Sequence, residues 1–377
     1  MSRDFGFRVV ASDSETHART GVLRTAHGEV STPLFLPVGT SAAVKMLSPQ
    51  ELSNCRVRMV LGNTYHLLHQ PGVETIAAAG GLARFMAWDG PTLTDSGGFQ
   101  VYSLAATRNI TESGVSFRSV YDGREIVLTP ESVLELQVQI GADVIYALDE
   151  CVPYPATHQE VERGLNLTLK WERRFLDAWR AMTESGRTAQ IPFLVVQGGL
   201  FDDLRIAAVH GVTDLEPSGF GIGGVSVGEP REEMLRVAAL CCELLPPDKP
   251  RHLMGVGTPA DLLDAIATGV DMFDCVLPTR NGRNGQAFTS EGAVNLRNAK
   301  NKMDFATVDS KCDCYCCSSF TRAYLHHLIN TGELLGMRLL SLHNLVYYQR
   351  LMSEARAAIQ NGSFPSWKRG IEAGWMG

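Results

Sequence analysis

The sequence predicts an α/β protein and, within that class, a closed (β/α)8 barrel. Three observations carry the prediction. Short apolar runs recur along the chain, helix-start signals fall between them, and most runs end abruptly on Gly, Asp, Asn, Gln or Ser. Buried parallel strands give near-continuous apolar runs, and strands that alternate with helices assemble into a parallel sheet. Eight such units suffice to close a barrel, with a doubly wound open sheet as the alternative.

In chain order the candidate strands are Leu34–Val38, Val57–Leu61, Thr92–Thr94, Val144–Leu148, Phe193–Val196, Gly219–Gly223, His252–Gly255 and Val270–Phe273. Helix starts separate several of them. Ser48-Pro49-Gln50-Glu51, Thr129-Pro130-Glu131 and Thr258-Pro259-Ala260-Asp261 each set a hydroxyl cap before a proline at the first helical position. Proline's missing N–H costs nothing there, because that donor has no partner in any helix.

The strand ends favour the barrel. Leu61 leads into Gly62-Asn63-Thr64-Tyr65, Thr94 into Asp95-Ser96-Gly97-Gly98, and Leu148 into Asp149-Glu150-Cys151. Val196 leads into Gln197-Gly198-Gly199, Gly223 into Gly224-Val225-Ser226, and Phe273 into Asp274-Cys275. Active sites of α/β barrels are assembled from the C-terminal ends of several strands, so these residues would share one pocket. Any single one is also explained as an ordinary βα turn. Together they are poorly explained that way.

Composition bounds the function. The 377 residues are 45% hydrophobic and 20% charged, enough for a large core. No apolar stretch approaches the roughly 18 residues of a membrane span, and Met1-Ser2-Arg3-Asp4 lacks the pattern of a signal peptide. The expected location is the cytoplasm. The net charge of −7 excludes a uniformly basic surface, yet the segment from Pro278 to Tyr324 is locally basic, with Arg280, Arg283, Arg297, Lys300, Lys302, Lys311 and Arg322. Phosphate contacts are permitted there, although an ordinary solvated face has the same charge pattern.

The cysteines form the strongest local signal. Of nine, four crowd into Cys312-Asp313-Cys314-Tyr315-Cys316-Cys317, which is a metal-site spacing rather than a disulfide framework. Cys312, Cys314 and Cys317, with a more distant His343, would fill a tetrahedral zinc shell of the structural kind. By spacing alone Cys316 can replace Cys317, and His326 and His327 rival His343. A four-ligand shell leaves no open position, which argues against a zinc-dependent hydrolase.

The strings Pro37 to Thr40, Leu61 to Leu67, Leu93 to Val101, Asp149 to Cys151 and Met272 to Ala287, with the Cys-x-Cys-x2-Cys and distant His, resemble the bacterial tRNA-guanine transglycosylases. The likeness runs from about residue 5 to residue 350. It implies an irregular (β/α)8 barrel with an inserted zinc-binding subdomain, here divided as barrel 1–280, zinc subdomain 281–345 and a C-terminal helix 346–377 completing the barrel. It also implies exchange of guanine at the first anticodon position of tRNA for 7-aminomethyl-7-deazaguanine, in a U-G-U context, by a homodimer.

The resemblance assigns roles. Asp274 matches the nucleophile that attacks C1′ of the ribose, and Asp95 the general acid/base. Retained configuration at an anomeric carbon requires two displacements, so one carboxylate attacks while another manages protons. Asp149 matches the acceptor for the donor edge of guanine, and Gln197 and the Gly224 N–H the partners of its carbonyl oxygen. Met254 and Phe99 match the two walls of the base slot, with Phe99 standing where relatives commonly carry Tyr. Cys151 and Val227 mark the bacterial form, where queuine-using relatives carry glycine, and Glu229 matches an acid beside the aminomethyl group. Val225-Ser226 departs from the commoner Leu-Ala. Arg280 and Arg283 are expected on anticodon phosphates, with a structural ion pair as the alternative. A chain ending at Gly377 leaves no room for the extra RNA-binding domains of archaeal relatives. A non-catalytic tRNA-binding subunit of the same fold is the competing function, and retention of Asp274, Asp95 and Asp149 argues against it.

Overall fold

All eight candidate strands lie in one parallel sheet in a computed structural model of the chain, which describes residues 6–100, 108–119 and 121–376. Three strands precede them, β1 (Gly6–Ser12), β2 (Arg19–Thr25) and β3 (Gly28–Thr32), as an antiparallel sheet. The barrel begins with β4 (Leu34–Pro37), β5 (Val60–Gly62) and β6 (Thr92–Thr94). An antiparallel excursion follows, β7 (Arg108–Thr111), β8 (Gly114–Arg118) and β9 (Glu125–Leu128). The barrel resumes with β10 (Val144–Tyr146), β11 (Ile191–Val196), β12 (Gly219–Ile222), β13 (Arg251–Leu253) and β14 (Met272–Cys275).

The spatial order β4-β14-β13-β12-β11-β10-β6-β5 returns to its start, where a Val38–Leu61 bridge and the Gly39 N–H donating to the Leu61 carbonyl close the ring. The sheet is a barrel and not an open doubly wound array. Strand edges differ from expectation by a few residues because pairing, not apolarity, sets them: Val57 is buried against the first helix but has no strand partner.

Inside the ring, Leu34, Leu36, Leu61, Leu93, Val144, Tyr146, Phe193, Val195 and Met272 pack into one cluster. Leu23 and Val30 join it from β2 and β3, so the N-terminal sheet plugs the barrel's floor. His27 at the tip of that sheet reaches Asp143, just before β10, at 2.9 Å. Arg19 of β2 pairs with buried Asp271 just before β14, through Nε at 3.0 Å and Nη2 at 2.6 Å. The three proline-marked starts hold: Ser48, Thr129 and Thr258 each accept a backbone N–H from three residues on, opening helices Pro49–Asn54, Pro130–Ile140 and Pro259–Ala267. No helix among the described residues is long and apolar enough to cross a membrane.

After β14 come the helix Leu277–Arg283, a hairpin of β15 (Gln286–Thr289) and β16 (Gly292–Asn295), and the short helices Tyr315–Ser319 and Arg322–Thr331. A 27-residue helix, Leu334–Gln360, then returns to the barrel wall, and Phe364–Met376 ends the chain. The position 345/346 falls inside that long helix. Its N-terminal half carries His343, while Gln349 further along donates to the Phe35 carbonyl of β4 at 3.0 Å.

Candidate active site

The C-terminal ends of the strands surround an open cleft of about 470 Å³. Asp95 follows β6, Asp149 lies beyond β10, Gln197 follows β11, Gly224 lies beyond β12, Met254 follows β13, and Asp274 belongs to β14. All six line the cleft, together with Phe99, Cys151, Val227 and Arg280. Parallel strands put their carbonyl ends on one face, so residues far apart in the chain converge there.

Asp95 is buried among donors, 8% exposed where it meets the cleft. Its Oδ2 accepts from Asn63 Nδ2 at 2.6 Å and Gln100 Nε2 at 2.8 Å, and its Oδ1 from the Thr64 N–H at 2.8 Å. Burial nevertheless lifts its carboxyl to about 6, with the Asp274 charge adding to the rise and the three donors opposing it. A group poised near neutrality can both give and take a proton.

Asp149 is half-buried, and its desolvation raises the carboxyl while hydrogen bonds from Gln197 (2.7 Å) and Ser96 (3.1 Å) hold it down. Gln197 thereby orients the acceptor and keeps its second amide hydrogen for a ligand. The site needs glycine at 224: φ is +63°, and a Cβ there would lie 2.4 Å from Gln197 Oε1.

Asp274 is the more accessible carboxylate, its side chain 14% exposed. His252 Nε2 lies 3.0 Å from Oδ1, and the Gly255 N–H donates to the same oxygen at 3.2 Å. Cys151 is buried, which pushes its thiol up to about 12 and leaves it a neutral, space-filling wall. Phe99 stands exposed at the lip.

Two expected residues stand back from the cleft. Glu229 accepts from the Ser226 and Val227 N–H groups, the latter at 2.9 Å, and so lies behind the Val227 wall. Arg283 is half-buried beyond Arg280, and burial, then the neighbouring Arg280 charge, lowers its pKa. Neither arginine forms an ion pair among the described residues, so the structural-pair alternative has no geometry behind it. Val101, the last residue of one family-like string, lies outside the described residues.

The supporting shell around the carboxylates is not marked in the sequence. Asn63, Ser96 and Gln100 lie inside family-like strings but were given no role, and each orients a site carboxylate. His252 passed as the start of a strand. A histidine leading the apolar Leu253-Met254 step was the available signal.

The metal-type cluster is assembled as expected. Ligand atoms of Cys312, Cys314, Cys317 and His343 all lie within 4.8 Å of one another, and all four residues are buried. Neighbouring sulfurs of a tetrahedral Zn–S shell stand roughly 3.8 Å apart, given bonds of about 2.3 Å. His343 Nε2 lies 2.8 Å from the Phe288 carbonyl, so it carries the proton and Nδ1 is left facing the Cys314 and Cys317 sulfurs at 3.6 and 3.2 Å. That is the outer hydrogen bond by which a metal-ligating histidine is fixed. Cys316 turns into the core instead, and His326 is taken by the Leu296 carbonyl at 2.7 Å. The residues fit a metal ion.

Comparison with known proteins agrees with this geometry. The model of the family described as Queuine tRNA-ribosyltransferase matches residues 13–376. The chain is 49% identical over 369 residues to the queuine tRNA-ribosyltransferase of Desulfosudis oleivorans, covering 98% of this chain and 96% of that one. With the enzyme of the same name from Nitrosomonas eutropha it shares 52% over 348 residues, 92% of this chain and 95% of that one. With that of Nitrosomonas europaea it shares 50% over 363 residues, 96% of each. The barrel, the carboxylates gathered at its mouth and a match along nearly the whole chain lead to one statement: this protein belongs to the queuine tRNA-ribosyltransferase family.

Proposed function

We propose that the protein exchanges guanine at the first anticodon position of tRNA for 7-aminomethyl-7-deazaguanine, by double displacement through a covalent tRNA–enzyme intermediate. The observation that carries the proposal is a pair of carboxylates in unlike environments on one cleft. Asp95 is held among three donors and raised to about 6, while Asp274 is presented with one oxygen tethered.

In the first step Asp274 attacks C1′, the C1′–N9 bond breaks, and protonated Asp95 gives its proton to the departing N9 of guanine. In the second, Asp95 takes the N9 proton of the incoming base, N9 attacks C1′, and the electron pair of the ester bond returns to Asp274. Asp149, Gln197 and Gly224 read the base edge, because a base without matching groups leaves a desolvated carboxylate unpaired. Met254 and Phe99 enclose its faces. Arg280 and Arg283, free of acidic partners among the described residues, suit anticodon phosphates. The Cys312, Cys314, Cys317 and His343 cluster suits one structural zinc. A homodimer working in the cytoplasm completes the reading.

The direct test is exchange of radiolabelled guanine into unmodified tRNA of the U-G-U type, with an anticodon-swapped tRNA as control. Incorporation into the first alone supports the function, whereas tRNA binding without exchange would favour the non-catalytic subunit. Both catalytic carboxylates are present, so exchange is expected.

Two further outcomes follow. Asp95 must be ionised to accept a proton from the incoming base, so the rate of base insertion should fall as pH drops through about 6 and level off above it. The Asp95→Asn protein should lack this acid limb; an unchanged limb would assign it to another group. Cys151 and Val227 fill the space beside the 7-position, so queuine should be a poor substrate and the Cys151→Gly, Val227→Gly double variant should accept it. Efficient queuine use by the native protein would contradict the pocket assignment.

A further inference from the structure

We infer that Tyr146 and His252 form a buried relay that holds Asp274 with one oxygen fixed and the other free to attack, making both of them positioning residues. The inference rests on Asp274 being the nucleophile. Tyr146 Oη lies 2.8 Å from His252 Nδ1, and His252 Nε2 lies 3.0 Å from Asp274 Oδ1. The Gly255 N–H reaches that same oxygen at 3.2 Å, and no hydrogen bond from a described residue reaches Oδ2.

Both relay residues are completely buried, on strands β10 and β13, which are separated by β11 and β12 in the ring. The relay therefore crosses the barrel interior. Gly221 of β12 makes room for it, since a Cβ there would lie 2.8 Å from the Tyr146 ring and 3.1 Å from its hydroxyl. The proton positions follow from the chemistry of the ends. A carboxylate only accepts, so His252 carries its proton on Nε2 and presents Nδ1 as acceptor. Burial raises the Tyr146 phenol well above its ordinary value, so it keeps its proton and donates it to Nδ1.

Fixing Oδ1 selects Oδ2 as the atom that bonds to C1′. In the ester, Oδ1 is the carbonyl oxygen and still accepts from His252 and Gly255. When the second displacement breaks the C1′–Oδ2 bond, charge returns to the carboxylate, and the two donors already aimed at it stabilise the leaving group without reorganising.

The test uses the full-length protein, single-turnover adduct formation, and Asp274→Ala in parallel. His252→Phe should slow adduct formation by roughly 10²-fold, the order expected when a reacting group is misplaced by about 1 Å, with KM for tRNA unchanged. His252→Gln keeps an N–H donor and should recover most of the rate, and Tyr146→Phe should lose less than His252→Phe. Nitrogen NMR of histidine-labelled native protein should find His252 with its proton on Nε2 and a bare Nδ1. A proton on Nδ1 alone would overturn the relay however the variants fold. Native rates in both His252→Phe and Tyr146→Phe, with Asp274→Ala inactive, would overturn the relay and spare the nucleophile. Adduct from Asp274→Ala would instead remove the nucleophile assignment itself.

Discussion

Asp274→Ala is expected to abolish base exchange and, with it, the denaturant-resistant tRNA–protein adduct. Among the described cleft residues nothing else can take its place: Asp95 is buried, both Asp95 and Asp149 are committed to hydrogen bonds, and burial keeps the Cys151 and Cys275 thiols protonated. Asp274→Asn preserves shape and removes the attacking charge, so it should fail as completely. Asp95→Asn should behave otherwise. It leaves the nucleophile intact, so adduct still forms, while turnover falls by about 10²- to 10⁴-fold, as for a lost general acid/base. Denaturing electrophoresis of each variant with labelled tRNA separates the cases. If Asp274→Ala accumulated adduct and Asp95→Ala did not, the two roles would have to be exchanged.

The second large effect concerns the metal. Elemental analysis should find about one zinc per chain, and Cys314→Ser or His343→Ala should lose it. Without the ion, three sulfurs and an imidazole are packed together with nothing to bind, in a region where Cys312, Cys314 and Cys317 contribute to the core. Structural zinc in small domains supplies about 10 to 16 kcal/mol, so its loss should unfold the segment between β15 and the long helix. Hydrogen exchange across residues 312–343 should rise sharply, and chelation should do the same to the native protein. Protein purified without metal, fully active and unchanged in exchange, would sink the assignment.

The barrel was legible because its strands are largely buried and most of them apolar, then stop on a polar residue where the chain reaches the mouth. Three other sheets among the described residues were not foreseen. β1 alternates exposed and half-buried residues, β7 is mostly exposed, and β15 with β16 forms a short hairpin, so none gives an apolar run. In the site, residues that end strands were legible, and those that orient them were not. Gln100 meets Asp95 through a turn and Tyr146 meets His252 across the barrel, at separations that no local pattern encodes. The choice between Cys316 and Cys317 needed the helix Tyr315–Ser319. Cys314, at its N-cap, shares a face with Cys317 three positions on, and Cys316 turns away from it.

Gln349 of the returning helix bonds to Phe35 of the first barrel strand, and that strand pairs with β14, which carries Asp274. The first wall of the cylinder thus waits on residues far along the chain, Phe35 on Gln349, 314 positions later. A nascent chain can begin its N-terminal sheet early, but a ring whose first strand must meet residues 272–275, and then 349, stays open at that edge until those residues have been made. Contacts so distant along the chain are slow to form and leave unpaired strand edges exposed meanwhile. The candidate site therefore assembles late, since Asp274 arrives on the strand that pairs with β4, and the β4 edge is exposed until that strand has been made.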